Sequence, residues 1–539
     1  MRIIRSMNKK FIFLFLIIIL GTFLRLYLIN SVPPSLNPDE TALGYNAYSL
    51  LKTGADEHGK FLPITLQSFG DWKLPVYPFI DVLPIAVFGL TEFAVRFPSI
   101  ISGIVGIFLI YLICQKLFQK HQISLFSAFF FAVSPWSIYF SRAAYEVNVA
   151  TTFFLAGLFF FTKYLDKEKL KPLWLTLSVV FFALTLFTYN SFIIFTPLFL
   201  ICLVYLNRKK IQPNLQFFIP SAFFIVITAI SLYLSIFAST NKTSTLLVFN
   251  DPNTIYNRVE KIRGDGVSSS PVEKIIYNKF TGGIYQFGQN YLSAFSPAFL
   301  FDKGGEKLVD NLGYIGNLYL IDALFMLLGF AGLILQKERN LKLIVVWLLL
   351  SPVPSALTKN PLSSTRLFLL IPVLTMISAY GVWQMLEFLK KGTIKNYFIK
   401  TVVLLVFVYN VALFMDGYFV HFNAQRARFW RYGYQQAVEL SQKYPNYNIV
   451  FRGPENFPYI YFLFFNKYNP TEFRYQVKYY TPTSEGFVYV KSFGRFSFPE
   501  VIGEKMEPKT IYIDDNQFKF KNKILLPSGE PVLSYYINN

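Results

Sequence analysis

The sequence predicts a polytopic α-helical membrane protein, and three observations carry that prediction. Hydrophobic residues make up 53% of the 539 and charged residues only 15%, where a soluble domain averages about a quarter charged. The apolar residues fall in blocks of bilayer length. Lysine and arginine cluster on alternate connections between those blocks. Mean hydropathy is +0.40, and the 61 Phe and 35 Tyr suit lipid-facing helices with aromatic belts.

About eleven spans are predicted, at roughly 11–29, 98–114, 122–140, 146–162, 172–188, 191–206, 215–236, 316–335, 341–357, 367–388 and 398–416. One set of connections carries Arg2, Arg5, Lys9 and Lys10, then Lys116 and Lys120, then Lys163 to Lys171, and Arg208 to Lys210. The set continues with Lys337, Arg339 and Lys342, then Lys390 to Lys400. The positive-inside rule puts this set in the cytoplasm, the N-terminus inside and the C-terminus outside. Most of the net charge of +20 then faces anionic lipid rather than nucleic acid. The first apolar run is long and lacks a small-residue cleavage site, so it reads as an uncleaved signal anchor in the cytoplasmic membrane. Arg25, near its outer end, reads as a snorkelling cation. Cys114 and Cys202 both fall in spans, which leaves no disulfide framework outside.

The division expected is a transmembrane domain over 1–416 and an extracytoplasmic domain over 417–539. Outer loops are expected at 30–97, 237–315 and 358–366. Within the first loop, 39–53 reads as an amphipathic helix with Leu43, Ala47, Leu50 and Leu51 on its apolar side, ended by Gly54. "LPVYPFIDVLPIAVFGL" (74–90) is apolar but broken by three prolines, which favours an interfacial helix. In the C-terminal domain, "AQRARFWRYGYQQAVELSQKY" (424–444) reads as a helix, and "NIVFRG", "GFVYVKSF" and "TIYIDD" as strands of a small α/β module.

The chemistry-bearing residues gather on the predicted outer face. "NPDE" (37–40) is a well-formed helix start, with Asn37 as N-cap, Pro38 at the first helical position and Glu40 as the capping-box acid. The same two carboxylates, Asp39 and Glu40, also suit proton abstraction, and the two readings are compatible. The remaining outer charges include Asp56, Glu57 and His58, Asp71 and Lys73, Arg142 and Glu146, and Lys359 and Arg366. Carboxylates beside several cations at one interface suit a substrate that surrenders phosphate as its leaving group. With three His in the chain, a His-ligated metal is not expected, while a carboxylate-held divalent cation is left open.

The stretches "PPSLNPDETALGYNAYSLLKTGADEHGKFLPITLQSFGDWKLPVY", "LTEFAVRFPSIISG", "SPWSIYFSRAAYEVNVA", "NYLSAFSPAFLFDKGG" and "SPVPSALTKN" together resemble the polyprenyl-phosphate-sugar-dependent glycosyltransferases of the GT-C class. These are the bacterial relatives of protein O-mannosyltransferases (glycosyltransferase family 39) and lipid A aminoarabinose transferases. The resemblance implies a membrane bundle with interfacial loop helices and an undecaprenyl-phosphate-linked sugar as donor. It implies Asp39 and Glu40 as the catalytic acids, with Lys73-Leu74-Pro75 matching a Lys-Pro-Pro-like donor-phosphate element whose first proline is lost. Arg366 matches the family's basic residue after the ninth span, whereas Ser363-Ser364 stand where a histidine is expected. Arg142 joins Lys73 and Arg366 as an expected phosphate contact, and Asp71, Glu146 and Tyr45 as expected substrate contacts.

Residue chemistry is consistent with this. A carboxylate takes the acceptor hydroxyl proton, positive charge building at C1 is stabilised by a second one, and cations receive the departing phosphate. The function expected is therefore transfer of a sugar from a polyprenyl-phosphate carrier to an acceptor hydroxyl of a lipid, glycan or protein, with inversion favoured by the resemblance. The alternatives are a lipid-linked sugar flippase or transporter, and a polymer ligase. The first would place ionisable groups within the spans and often carries internal repeats, and the second lacks the NPDE loop.

Overall fold

The computed structural model describes residues 2–166, 171–238, 248, 255, 257–264, 271–313, 315–390, 392–483, 486–515 and 519–539. The chain forms two compact units: residues 1–24, 103–138 and 150–414 make one, and residues 25–102, 139–149 and 415–539 make the other.

The first unit is a helical bundle. Each of the eleven predicted spans coincides with an apolar helix, but the helices differ in length. Six are long and apolar enough to cross a membrane: Glu92–Phe118, Glu146–Tyr164, Asn190–Asn207, Leu215–Ile236, Leu370–Phe388 and Ile394–Arg426. His121–Val133 and Pro135–Ser141 form a pair bent by 57°, broken at the proline that cannot donate into the preceding turn. The remaining four, Phe11–Leu26, Lys171–Leu186, Leu320–Leu335 and Leu341–Ala356, are shorter. Of the large loop 237–315, residues 239–247, 249–254, 256, 265–270 and 314 lie outside the described residues.

Helices Leu320–Leu335 and Leu370–Phe388 cross backbone against backbone. A Cβ on Gly329 would come within 1.9 Å of the Ile377 carbonyl oxygen, and one on Gly381 within 1.9 Å of the Phe325 oxygen. Only glycine permits that approach, which is how helices associate when lipid removes the hydrophobic drive between them. Two buried tryptophans fix the turn before Leu370–Phe388: Trp136 Nε1 donates to Ser364 O at 3.1 Å and Trp347 Nε1 to Leu369 O at 3.1 Å.

The second unit contains the first predicted outer loop and the C-terminal residues. Helix Pro38–Thr53 starts at Asn37 and stops at Gly54, whose φ of 69° is the left-handed C-cap expected. Leu43, Ala47 and Leu50 are buried, while Leu51 is exposed, contrary to its expected place on the apolar side. The proline-broken segment is helix Val76–Phe88 with Pro84 inside. Phe79, Leu83 and Val87 form an exposed apolar stripe at four-residue spacing, as an interfacial helix requires. Arg25 is fully buried rather than at a lipid surface.

The C-terminal residues build a seven-stranded mixed sheet in the order Lys478–Tyr479, Val490–Phe493, Phe496–Ser497, Asn448–Phe451, Thr510–Asp514, Pro531–Asn538 and Asn522–Leu525. Asn448–Phe451 runs parallel to both of its neighbours. All three predicted strands are present. The helix expected over 424–444 is instead two, Phe422–Arg426 and Tyr434–Lys443. Gly433 at φ 100° and Arg431 at φ 54° turn the chain between them, a conformation no α-helix accommodates.

The glycine crossing yields a test. Gly329→Ala and Gly381→Ala each force a Cβ into a carbonyl oxygen and should lower thermal stability by at least about 1–3 kcal/mol. In helix Lys279–Ser293, a Cβ added at Gly288 would meet nothing within 4 Å, so Gly288→Ala should be neutral or stabilise by up to about 1 kcal/mol. Equal unfolding midpoints for all three variants in detergent would contradict the packing.

Candidate functional site

The Asp39–Glu40 pair is divided by its helix. The N-terminus of Pro38–Thr53 is closed by a full capping box: Asn37 Oδ1 accepts from Glu40 N at 3.0 Å, and Glu40 Oε2 accepts from Asn37 N at 3.1 Å. Being adjacent on a helix, the two side chains point about 100° apart. Glu40 turns inward and is 1% exposed. Its second oxygen, Oε1, accepts from Ala144 N at 2.7 Å and Arg96 Nε at 3.3 Å. Asp39 turns outward, with 72% of its side chain exposed, and its Oδ1 lies 2.5 Å from Lys73 Nζ.

Arg96 is the residue that sequence reasoning passed over. It is fully buried and, besides Glu40, donates to Ile29 O at 3.1 Å, Pro33 O at 3.4 Å and Ser35 O at 2.6 Å. One guanidinium thus ties the chain before the helix to the helix's own buried acid. The signal was a lone arginine in "LTEFAVRFPSIISG", near the start of an apolar helix, where a buried charge demands partners. Arg142, expected at the donor phosphate, does similar work. It is fully buried and donates to Val32 O at 2.7 Å, Arg25 O at 3.1 Å and Tyr418 Oη at 3.3 Å.

Lys73 ends a short hairpin of Leu66–Ser68 and Asp71–Lys73. The turn needs Gly70, at φ 81°, because a Cβ there would lie 2.2 Å from the Gly486 carbonyl oxygen. Val488 N donates to Phe69 O at 3.1 Å in the same turn. Lys73 is therefore held from below, 8% exposed, with its ammonium at the open carboxylate. The side chain of Asp71 lies outside the described residues. Glu146 opens helix Glu146–Tyr164 in the first turn, half-buried.

Tyr45, expected to touch substrate, is fully buried and donates to Tyr468 O at 3.1 Å. It belongs to a set of contacts by which the C-terminal residues clamp the first loop. Tyr461 Oη donates to Leu36 O at 2.9 Å, immediately before the NPDE stretch. Tyr459 Oη donates to Glu57 Oε1 at 3.2 Å, and Arg474 Nη2 to Asp56 O at 2.6 Å and Ser49 Oγ at 2.8 Å. Gly44 permits the helices to meet, since a Cβ there would lie 2.8 Å from the Phe464 ring. Arg366 belongs to the helical bundle unit. Its Nη1 donates to Thr358 Oγ1 at 2.9 Å and Asn360 O at 3.0 Å.

Among the described residues, no three His, Cys, Asp or Glu side chains converge as metal ligands. At Asp39 the neighbouring positive charge is the Lys73 ammonium.

The fold is that of a multi-pass membrane protein, a helical bundle with a C-terminal sheet domain. Residues 73–234 match the family described as dolichyl-phosphate-mannose-protein mannosyltransferase. The match begins at Lys73, so Asp39 and Glu40 lie outside it. Among solved structures, the chain is similar to the archaeal oligosaccharyltransferase AglB from Archaeoglobus fulgidus in complex with an inhibitory peptide and a dolichol-phosphate. The TM-score is 0.50 at 12% identity, over 84% of this chain and 63% of that one, so the chain spans just under two thirds of the oligosaccharyltransferase. ArnT from Cupriavidus metallidurans is similar over 85% of both chains in the apo state (13% identity, TM-score 0.48). Bound to undecaprenyl phosphate, it is similar over 97% of both (11% identity, TM-score 0.49). No curated protein sequence matches. At 12% identity the likeness to the oligosaccharyltransferase is one of fold alone.

Two predictions follow from the buried acid and the clamp. Glu40→Gln removes the nearer counter-charge of buried Arg96, leaving Glu92 Oε2 at 4.0 Å, and should cost about 3–5 kcal/mol of stability, measured by unfolding in detergent; a loss below about 1 kcal/mol would show that Glu40 is not the anchor. At the clamp, burial pushes the His58 pKa down, but Glu57, 3.3 Å from His58 Nε2, pushes it up and wins, leaving it raised above 6.5. A raised folded-state pKa means that the stabilisation is fully present below about pH 6.5 and fades as pH rises through the higher folded value. His58→Gln should remove that slope from the pH–stability curve, and an unchanged slope would contradict the pairing.

Proposed function

We propose that this protein is a glycosyltransferase that moves a sugar from a polyprenyl-phosphate carrier to an acceptor hydroxyl at the outer face of the cytoplasmic membrane. Its N-terminus lies inside and its C-terminus outside. The observation that carries the reading is the split pair: one carboxylate open to solvent with an ammonium at 2.5 Å, the other enclosed by its donors. The family match over 73–234 and the fold support the donor class.

In this reading Asp39 is the general base. As the acceptor oxygen attacks C1, its proton passes to Asp39, the new C1–O bond forms, and the C1–O bond to phosphate breaks. The electron pair leaves on the lipid phosphate, which needs no general acid when cations receive it. Lys73 pairs with Asp39 before donor binding and then shares its charge with the phosphate. Arg366, in the bundle unit, is the second cation that the sequence resemblance nominates, and its guanidinium donates to Thr358 and Asn360. Glu40 is a positioning residue. Because it accepts three N–H bonds and is 1% exposed, it is no nucleophile for a covalent sugar intermediate. With Asp39 taken as base rather than nucleophile, the reading is a single displacement with inversion. Arg142 acts through the backbone it holds rather than on the phosphate.

Asp39→Asn keeps an acceptor oxygen at the exposed helix start, so stability should change by no more than about 1 kcal/mol, while sugar transfer should fall by about 10²–10⁴-fold. The assay is release of polyprenyl phosphate from a sugar-charged lipid by purified protein, a reaction a flippase does not perform. Near-wild-type release by Asp39→Asn would overturn the assignment. Lys73→Ala and Arg366→Ala should each weaken donor use more than folding, and wild-type turnover by both would remove the phosphate site. With an ammonium doing the work of a metal ion, EDTA should leave turnover unchanged. Loss restored by Mg²⁺ or Mn²⁺ would contradict this.

A further inference from the structure

The bundle unit contains a second feature that sugar transfer does not use. A cavity of about 710 Å³ opens among the basic ends of four helical segments, at residues 115–119, 161–166, 203–210 and 338–343. A groove of about 510 Å³ runs beside it between helices Asn190–Asn207 and Leu341–Leu350, lined by Ile201, Cys202, Tyr205, Val345 and Val346. The two are continuous: Leu206 and Lys342 line both.

Their chemistry differs sharply. Among the described residues, the cavity is lined by Lys116, Lys210, Arg339 and Lys342 and by two acids, Asp166 and Glu338. Both acids are engaged. Asp166 lies 2.5 Å from Lys116 Nζ, and Glu338 accepts from Tyr380 Oη at 3.1 Å. Lys210, Arg339 and Lys342 are exposed and make no ion pair among the described residues. The groove wall is aliphatic and aromatic apart from Lys342. A basin of uncompensated positive charge opening into an apolar channel is the negative image of an anionic amphiphile. Snorkelling alone explains cations at helix ends, but neither a basin this size nor its continuity with a groove.

We propose that this feature is a binding site for one anionic phospholipid. The phosphodiester headgroup would lie among Lys210, Arg339 and Lys342, and an acyl chain in the groove past Cys202 and Val346. In the orientation proposed above, these helix ends face the cytoplasmic leaflet, where basic pockets between helices meet acidic lipid. The site is separate from Asp39 chemistry and would couple the bundle's stability to the surrounding lipid by mass action.

The test is native mass spectrometry of the full chain in mild detergent with phosphatidylglycerol or phosphatidylcholine added. Wild type should retain one phosphatidylglycerol in preference to phosphatidylcholine. The triple variant Lys210→Gln/Arg339→Gln/Lys342→Gln, confined to exposed side chains, should lose that preference, with retention falling on the order of tenfold or more. Cys202→Trp, which fills the groove and leaves the charges intact, should lower retention as well, and Lys342→Gln alone gives the milder version of the first arm. Equal retention of the two lipids by wild type, or full retention by the triple variant, would overturn the proposal. Full retention by a folded Cys202→Trp, or displacement by inorganic phosphate, would reduce the site to a headgroup contact and overturn it also. Displacement of phosphatidylglycerol by a stoichiometric polyprenyl phosphate would assign the site to the carrier lipid instead. Because the readout is bound mass, its failure is distinguishable from failure of the glycosyltransferase reading.

Discussion

A single buried carboxylate organises the outer-loop unit. Glu40 accepts from Asn37 N, Ala144 N and Arg96 Nε, so three separate pieces of chain meet at two oxygen atoms. Taking that charge out of water is costly, and the cost is offset only because Arg96 neutralises it and every N–H is well placed. Arg96 in turn caps the carbonyls of Ile29, Pro33 and Ser35, which otherwise would be buried acceptors lacking donors. The irregular backbone before the helix is therefore fixed by the same charge pair that fixes the helix.

From that anchor the position of Asp39 follows. A helix fixed at its first turn fixes the direction of the next side chain, and Asp39 points away from the anchor toward Lys73. Lys73 arrives from a hairpin whose turn is tied to residues 486–488. Tyr461 ties the C-terminal residues to Leu36. The sheet domain is thus part of what holds the open carboxylate, not an appendage. Asp39 itself faces an ammonium and open solvent, the arrangement a base requires if an acceptor is to reach it.

Much of the fold was legible in the sequence because the signals were local. Asn37, Pro38 and Gly54 mark both ends of one helix by side-chain chemistry alone. The eleven apolar blocks mark the bundle, although several are shorter as helices than as apolar runs, because Pro135 and the turns around residues 187–190 and 351–352 interrupt them. The break at Arg431–Gly433 is legible only if Gly433 is weighed as a stop rather than as a tolerated helical glycine. Strands Asn522–Leu525 and Pro531–Asn538 carry a weaker signal, because half of the first is polar and each depends on its neighbour for pairing.

The site was legible in part for the same reason. Asp39 and Glu40 could be singled out as a pair, but adjacency in sequence says nothing about which one faces the interior. The partners that decide it, Arg96 and Ala144, lie 56 and 104 positions away. Arg142 reads as an exposed cation at a span end until its three carbonyl and hydroxyl acceptors are known. The most direct measurement of the division of labour is azide reactivity. Azide carries no proton, so its attack at C1 needs no base. Asp39→Ala should lose transfer to hydroxyl acceptors yet form glycosyl azide from a sugar-charged polyprenyl phosphate when azide is added, whereas folded Glu40→Gln should gain nothing from it. Azide that fails to restore reaction in Asp39→Ala, or that restores Glu40→Gln equally, would contradict the account.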